Sequence, residues 1–138
     1  MKCLLTALIV SVLASVSHAY EGEPAKQVDR FFAELSAGKV NESIDNLYAS
    51  NPAMQQKIQA LTMLKQQLAS LIPLYGSMLG NENVSREELS PSLMRIVQVA
   101  KHELHPVIWE FYFYKPEDKW IISQAMFVDQ FQIIGAKK

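Results

Sequence analysis

The residues whose types permit catalysis or metal binding are concentrated in one short segment of the chain. His102, Glu103 and His105 place two imidazoles and a carboxylate within four residues. A zinc protease needs its two histidines four positions apart on a helix, with a glutamate directly after the first. Here the two histidines flank an expected reversal of the chain, so we interpret them as exposed loop residues. This segment therefore predicts no metal site and no catalytic residue.

Two glutamines are candidates for orienting a small ligand. Gln98 and Gln124 lie in segments whose apolar residues alternate with a period of two, which is typical of β-strands. Joining these strands by a tight turn and an even-length reversal places both amides on the inward face of the sheet, beside Trp109 and Phe111. Amides in an apolar pocket can fix the orientation of a ligand. The alternative is that they bond to each other or to backbone groups.

Two tyrosines complete the candidate site. Tyr48 and Tyr75 lie on predicted helix faces, from which their hydroxyls can reach the same pocket. The alternative is that both rings belong to the core and only the hydroxyls reach its rim. The predicted ligand pocket consists of Gln98, Trp109, Phe111, Gln124, Tyr48 and Tyr75.

Three helices are predicted to position these residues. Between residues 24 and 75 the apolar side chains recur every three or four positions, as on one face of a helix. The first helix begins near Pro24 and ends before Gly38, and a shorter helix follows it. The third carries a long apolar stripe: Met54, Ile58, Leu61, Leu64, Leu68, Leu71 and Tyr75. Pro73 is expected to kink or end this helix near Leu71.

A change of period near residue 93 marks the start of a sheet. Three strands are predicted at 93–103, 107–114 and 119–128, and a weak edge strand at 81–88. The fold class is therefore α+β, with three N-terminal helices packed on a curved antiparallel sheet of three or four meander strands. The expected cross-strand neighbours are Phe113 with Trp120, Phe111 with Ile122, Trp109 with Gln124, Gln98 with Phe111, and Ala100 with Trp109.

Two sequence motifs carry a family resemblance. The stretches RFFAEL at 30–35 and WEFYFYKP at 109–116, with the chain's size and element order, resemble exported members of the superfamily typified by nuclear transport factor 2. The resemblance covers residues 25–129. It implies a cone in which a bent sheet wraps a long helix and leaves a pocket, and often a dimer across the sheet. Its members include isomerases, dehydratases and non-catalytic binding modules, so the fold does not choose a function.

The inward face of the predicted sheet contains no aspartate or glutamate. Ketosteroid-isomerase-like members of the superfamily use a pocket carboxylate as general base, and that pattern has no match here. We therefore predict a non-catalytic exported domain, without a cofactor, that binds a small apolar ligand or a protein partner. One alternative is an isomerase- or cyclase-like enzyme, in which an odd-length reversal turns Arg95, Lys101 and Glu103 inward. The other is a structural accessory protein with a filled core.

The outward face of the sheet combines aromatic and charged residues. Glu110, Tyr112, Tyr114 and Phe127 are predicted to lie there. Tyrosine offers apolar area and a polar tip together, a composition that suits a partly covered surface. We interpret this face as a candidate homodimer contact. The alternative is a solvated face with scattered apolar residues.

The first nineteen residues resemble a secretory signal. Lys2 precedes an apolar stretch, and Ser17 and Ala19 put small residues where a signal peptidase cleaves. This divides the chain into a signal peptide at 1–19 and a single domain at 20–138, in the periplasm or secreted. Cys3, the only cysteine, leaves with the signal, so the mature domain has no disulfide. The remaining 12 basic and 14 acidic side chains give no excess of positive charge that would favour binding to nucleic acid or to an anionic membrane surface.

If the signal peptide is cleaved, the N-terminus of the mature protein is defined. Its N-terminus should be Tyr20, because cleavage follows Ala19. Intact-mass analysis of the exported protein measures this. A mass that retains residues 1–19 would indicate an uncleaved anchor instead.

Overall fold

The computed structural model describes residues 23–135, so the predicted signal peptide and cleavage site lie outside the described part. The helices are α1 (Pro24–Ser36), α2 (Val40–Tyr48), α3 (Pro52–Gln55), α4 (Ile58–Ala69) and α5 (Leu71–Tyr75). The strands are β1 (Met78–Ser90), β2 (Leu93–His102), β3 (Pro106–Tyr114) and β4 (Ile121–Val128), followed by a 3₁₀ helix at Phe131–Gly135. The predicted α+β class, with helices followed by an antiparallel meander, is confirmed. No helix within residues 23–135 is long and apolar enough to span a membrane.

The first helix begins and ends where the sequence predicts. Pro24 occupies its first turn, where a missing N–H costs nothing. Gly38 ends it with a positive φ of 77°. Its N–H donates to the carbonyl of Leu35, and that of Lys39 to the carbonyl of Glu34, both at 3.0 Å. These two bonds satisfy carbonyls that the end of the helix leaves open.

The third predicted helix is divided into α3, α4 and α5. Lys57 has a ψ of 58°, which is not helical, and separates α3 from α4. Pro73 would clash with the carbonyl of Ala69 in a continuous helix, so α4 ends at that residue. In α5 the proline falls in the first turn, where its missing N–H is tolerated. The interruption expected from Pro73 therefore comes two residues earlier than predicted.

The sheet has the strand order β1-β2-β3-β4. Strand β1 is longer than the predicted edge strand and lies at the edge of the sheet. Its pairing with β2 shifts at three β-bulges, each leaving one extra residue: Leu79, Val84 and Leu89. Bulges twist an edge strand and make it a poorer template for uncontrolled pairing.

The predicted pairing of β2 with β3 is wrong by two residues. Gln98 lies opposite Trp109 rather than Phe111, and Ala100 lies opposite Val107 rather than Trp109. The turn is longer than expected because its residues bond elsewhere: the Glu103 N–H donates to the Ser77 carbonyl at 3.2 Å. A shift of two preserves the side-chain alternation, so the predicted faces of β2 and β3 are retained.

The predicted register of β4 is wrong in a way that changes its faces. Phe113 pairs with Ile122 rather than Trp120, because β4 begins at Ile121 after a longer loop. A bulge at Ser123 then inserts one residue. Beyond it the partners are Phe111 with Ala125, Tyr112 with Gln124, Glu110 with Met126, and Trp109 with Phe127. The single extra residue turns Gln124 and Met126 outward and Phe127 inward, opposite to the prediction.

The core lies between the inward face of the sheet and helices α1 and α2. Phe31 and Phe32 of α1 pack against Trp109 and Phe111 of β3, and all four side chains are at most 1% exposed. The Phe31 ring lies edge-on to Trp109, with centroids 4.8 Å apart, and to Phe111 at 5.5 Å. Edge-to-face contacts add to the free energy gained from burying the aromatic area.

Candidate functional site

The centre of the predicted pocket is filled by aromatic side chains. Trp109 and Phe111 are 0% exposed and stack on each other, with centroids 5.7 Å apart. The Trp109 indole Nε1 has no hydrogen-bond partner within residues 23–135. Phe127, which the sequence analysis placed on the partner face, packs on Trp109 with centroids 4.9 Å apart. These rings form a packed core rather than the wall of a cavity.

The two glutamines do not meet. Gln98 is buried, and its amide donates to Asn83 at 3.2 Å and accepts from Asn81 at 3.1 Å. Gln124 lies on the outward face, opposite Tyr112, and is exposed. The prediction that both amides flank the core aromatics is therefore wrong, because the bulge at Ser123 turns one of them outward.

Tyr48 joins helix α2 to strand β4. Its hydroxyl accepts a hydrogen bond from the backbone N–H of Ala125 at 2.9 Å, just beyond the bulge. The residue is 2% exposed. Burial raises the pKa of Tyr48, although the bond from Ala125 acts in the opposite direction. This hydroxyl holds the backbone of the bulged strand and does not face a pocket.

We expect Tyr48→Phe to lower the free energy of unfolding by about 1–3 kcal/mol, because the buried N–H of Ala125 loses its acceptor. The pKa of the folded state is raised, so the contribution of Tyr48 is present below the unfolded pKa of about 10 and is lost as pH rises. Denaturant unfolding at pH 8 and at pH 10.5 measures both effects. Between these two pH values the free energy of unfolding should fall less in Tyr48→Phe than in wild type. Tyr114→Phe, which removes an exposed hydroxyl, should stay near wild type at both pH values.

Tyr75 belongs to a cluster at one end of the sheet. Its hydroxyl donates to the Asp129 carboxylate at 2.5 Å, and this bond raises the pKa of Tyr75. The Tyr75 ring stacks on His105, with centroids 4.9 Å apart. The Nε2 of His105 lies 2.7 Å from the Asp129 carbonyl, and Phe131 contacts the same imidazole. The cluster ties α5, the β2–β3 turn and the end of β4 together.

His102 is not the exposed loop residue that the sequence predicts. It is 8% exposed and ends strand β2, opposite Met78. Its Nδ1 lies 2.9 Å from the carbonyl oxygen of Gly76, in the linker between α5 and β1. Gly76 has a φ of 82°, and a Cβ there would collide with the Glu103 carboxylate. That carboxylate accepts from the Ser77 N–H at 2.9 Å. The linker is thus held from both sides.

A cleft opens next to this linker, and we call it the α1–β1 cleft. It has a volume of about 290 Å³ and lies between the end of α1, helices α4 and α5, and the start of β1. Its rim contains the small residues at 36–38 and Ser77. Its walls are mostly apolar, formed by Leu35, Leu68, Leu71, Ile72, Met78 and His102. The cleft has no signal in the sequence, because its walls come from five elements whose apolar residues predict helix or strand faces.

The α1–β1 cleft is uncharged. None of its described lining residues is Asp, Glu, Lys or Arg, and His102 is its one titratable side chain. Within residues 23–135 no group of three His, Cys, Asp or Glu side chains could hold a metal ion. The arrangement suits an apolar molecule held mainly by van der Waals contacts, with few polar groups to orient it.

The outward face of the sheet carries an ion-pair network. Both oxygens of the Glu110 carboxylate accept from Arg95, at 2.8 and 3.1 Å, and the Tyr112 hydroxyl donates to it at 2.7 Å. Arg95 also donates to Glu87 at 3.2 Å. Glu110 holds the pKa of Arg95 above its usual range. Burial and the bond to Glu110 together raise the pKa of Tyr112. Arg95 is thus paired with two carboxylates within the molecule.

These elements define an α+β domain in which helices cover one face of a four-stranded antiparallel meander beside an apolar cleft. No protein-family model, no curated protein and no solved structure matches the chain. Membership of the nuclear transport factor 2-like superfamily therefore stays a prediction from the motifs at 30–35 and 109–116.

Proposed function

We propose that this is an exported, non-catalytic domain that binds a small apolar ligand in the α1–β1 cleft. The observation that carries the proposal is the apolar lining of the cleft. Leu35, Leu68, Leu71 and Met78 are among the residues of that lining. Ligand sites are typically concave and mostly apolar, with a few polar groups that fix orientation. The proposed superfamily includes binding modules of this kind, but the proposal does not depend on that resemblance.

The volume of the cleft limits the size of the ligand. A molecule in a liquid takes up about 30 Å³ per water-sized group, so 290 Å³ corresponds to about ten non-hydrogen atoms. This is the lower end of the range for small-molecule sites. The ligand is therefore a small apolar molecule, or one short apolar part of a larger one.

Naphthalene, a rigid apolar molecule of about this size, is a suitable probe. Saturation-transfer NMR should detect binding with a dissociation constant on the order of 0.1–1 mM, because so small a ligand gains only a few kcal/mol after the cost of association. Ala37→Trp should weaken binding at least tenfold, because it places an indole at the rim of the cleft. Ala33→Trp is the matched control, since Ala33 is exposed one turn earlier on α1 and does not line the cleft. No binding by wild type would overturn the proposal.

The enzyme alternative places acid–base chemistry at the carboxylates and histidines of the domain. Glu103, Glu110, Asp129 and His102 are the residues to change one at a time. A general base typically contributes about 10²–10⁴-fold to the rate, so its removal would be unmistakable. A turnover with isomerase or dehydratase substrates that falls this far in one folded variant would replace the binding proposal.

A second proposal concerns the outward face of the sheet, which we infer to be the contact of a homodimer. Six large apolar side chains on β1 and on this face are 41–67% exposed: Leu79, Val84, Leu89, Leu93, Tyr114 and Met126. Several large apolar side chains exposed on one sheet favour a contact with another protein over a solvated face. Arg95 and Glu110 neutralise each other on the same face, so this pair presents no net charge to a second copy.

Analytical ultracentrifugation measures the dimer directly. We expect wild-type protein to sediment as a dimer at micromolar concentration, and the double variant Tyr114→Lys/Met126→Lys to be monomeric because four lysines then meet in the contact. Ile58→Lys is the control, because Ile58 is 71% exposed on α4, away from the sheet. A monomeric wild type at high concentration would reject this proposal.

A further inference from the structure

One buried polar atom beside the α1–β1 cleft has no partner. His102 is 8% exposed, and its Nε2 makes no hydrogen bond within residues 23–135. A buried polar atom without a partner costs free energy, so most such atoms are paired. The ring also contributes to the wall of the cleft. An unpaired atom at this position is explained if a ligand supplies its partner.

The other ring nitrogen determines which kind of partner is missing. Nδ1 lies 2.9 Å from the Gly76 carbonyl oxygen, which can only accept a hydrogen bond. Nδ1 must therefore carry the proton. In the neutral imidazole this leaves Nε2 with a lone pair and no hydrogen, which makes it an acceptor. For a neutral His102 ring, the missing partner is therefore a hydrogen-bond donor.

We propose that the α1–β1 cleft selects an uncharged apolar molecule that carries one hydroxyl group, and that the hydroxyl donates to Nε2 of His102. This inference rests on the proposed ligand-binding function and names the chemical class of the ligand. The apolar walls from Leu35, Leu68 and Leu71 contact the hydrocarbon part. Among the described residues that line the cleft, none is Asp, Glu, Lys or Arg. The lining therefore could not compensate for the desolvation of an ionised group on the ligand.

A ligand has to displace a neighbouring side chain to reach the acceptor, and Met78 is a candidate. Nε2 is covered in the free protein, and Met78 is the direct cross-strand neighbour of His102 on the cleft wall. Methionine is unbranched and changes rotamer easily. Its sulfur accepts a weak hydrogen bond from the Ser36 hydroxyl at 3.7 Å. Under this proposal, a change of the Met78 rotamer opens the path from the cleft to Nε2.

Two isomers provide a matched pair of probes. 1-Octanol and heptyl methyl ether have the same composition and nearly the same apolar area, but only the alcohol donates a hydrogen bond. Titration of the wild-type domain by NMR should show that it binds the alcohol about tenfold more tightly than the ether. This is the difference expected for one hydrogen bond that satisfies a buried acceptor.

The variant His102→Asn isolates the contribution of Nε2. The asparagine amide nitrogen can take the place of Nδ1 and keep the bond to the Gly76 carbonyl, while nothing replaces Nε2. In this variant the affinity for the alcohol should fall to that for the ether, so that the ratio of the two affinities drops from about ten to about one. The ¹⁵N resonance of Nε2 in wild-type protein should move when the alcohol binds and not when the ether binds.

The outcomes separate this inference from the binding proposal. A preference for the alcohol that disappears in His102→Asn supports both. Equal affinities for the two probes in wild type would overturn the role of His102 and leave apolar binding intact. Absence of binding for both probes would overturn both. If His102→Asn fails to fold, the wild-type affinity ratio and the ¹⁵N spectrum decide the question.

Discussion

Trp109→Ala should lower the free energy of unfolding by about 3–5 kcal/mol, the largest effect expected for one side chain in this domain. Trp109 is 0% exposed and contacts Phe31, Phe32, Phe111 and Phe127. Removing its indole leaves a cavity that these rings cannot close by small movements. For a domain of this size the melting temperature should fall by roughly 15 °C or more, or the variant should not fold. Calorimetry or thermal circular dichroism measures this.

Tyr114→Ala is the matched control for this prediction. Both aromatic residues lie on β3, but Tyr114 is 41% exposed on the outward face. Its truncation should cost about 1 kcal/mol or less in the monomer. If Trp109→Ala melted within a few degrees of wild type, the inward assignment of the odd-numbered residues of β3 would be wrong.

Glu110→Leu should lower the free energy of unfolding by about 3 kcal/mol, the lower end of the range for breaking a buried ion pair. The Arg95 side chain is 8% exposed and the Glu110 side chain 21%, so solvent replaces the lost carboxylate only in part. Arg95 would keep Glu87 as its ionic partner, but that side chain is 45% exposed and gives one weaker bond. Chemical denaturation of wild type and variant measures the difference.

Two further variants test this interpretation of the network. Glu87→Gln should cost less than about 1 kcal/mol, because an exposed ion pair contributes little. The double variant Arg95→Met/Glu110→Leu should recover most of the loss, because it leaves no unpaired charge under the surface. A double variant as unstable as Glu110→Leu would show that packing, rather than the unpaired charge, causes the loss.

The parts of the fold that depend on local periodicity were predictable from the sequence. Helix α1 follows from its apolar spacing between Pro24 and Gly38, and the faces of β2 and β3 follow from alternation. The bulge at Ser123 has no local signal, because apolar residues follow one another at 121–122 and at 125–128 and leave open which of them point inward. One inserted residue exchanged the faces of Gln124 and Phe127, and with them part of the predicted pocket and partner surface.

The candidate site was less predictable than the fold. Trp109 and Phe111 were expected inside the sheet, and the structure places them there, but no sequence pattern tells a filled interior from a hollow one. The burial of His102 depends on a hydrogen bond to Gly76, which is 26 positions away in the chain. The α1–β1 cleft likewise depends on how far the end of α1 stands from α5 and Met78, a distance that periodicity does not define.

Methyl NMR of the isotope-labelled domain during a titration with 1-octanol tests the binding proposal most directly. Leu35, Leu68, Leu71 and Ile72 line the α1–β1 cleft, whereas Ile96 lies in the core beneath the sheet. We predict saturable shifts of the four cleft residues and almost none at Ile96. Shifts confined to the outward face of the sheet, or no saturable shift at any methyl group, would contradict the proposal that the cleft is the binding site.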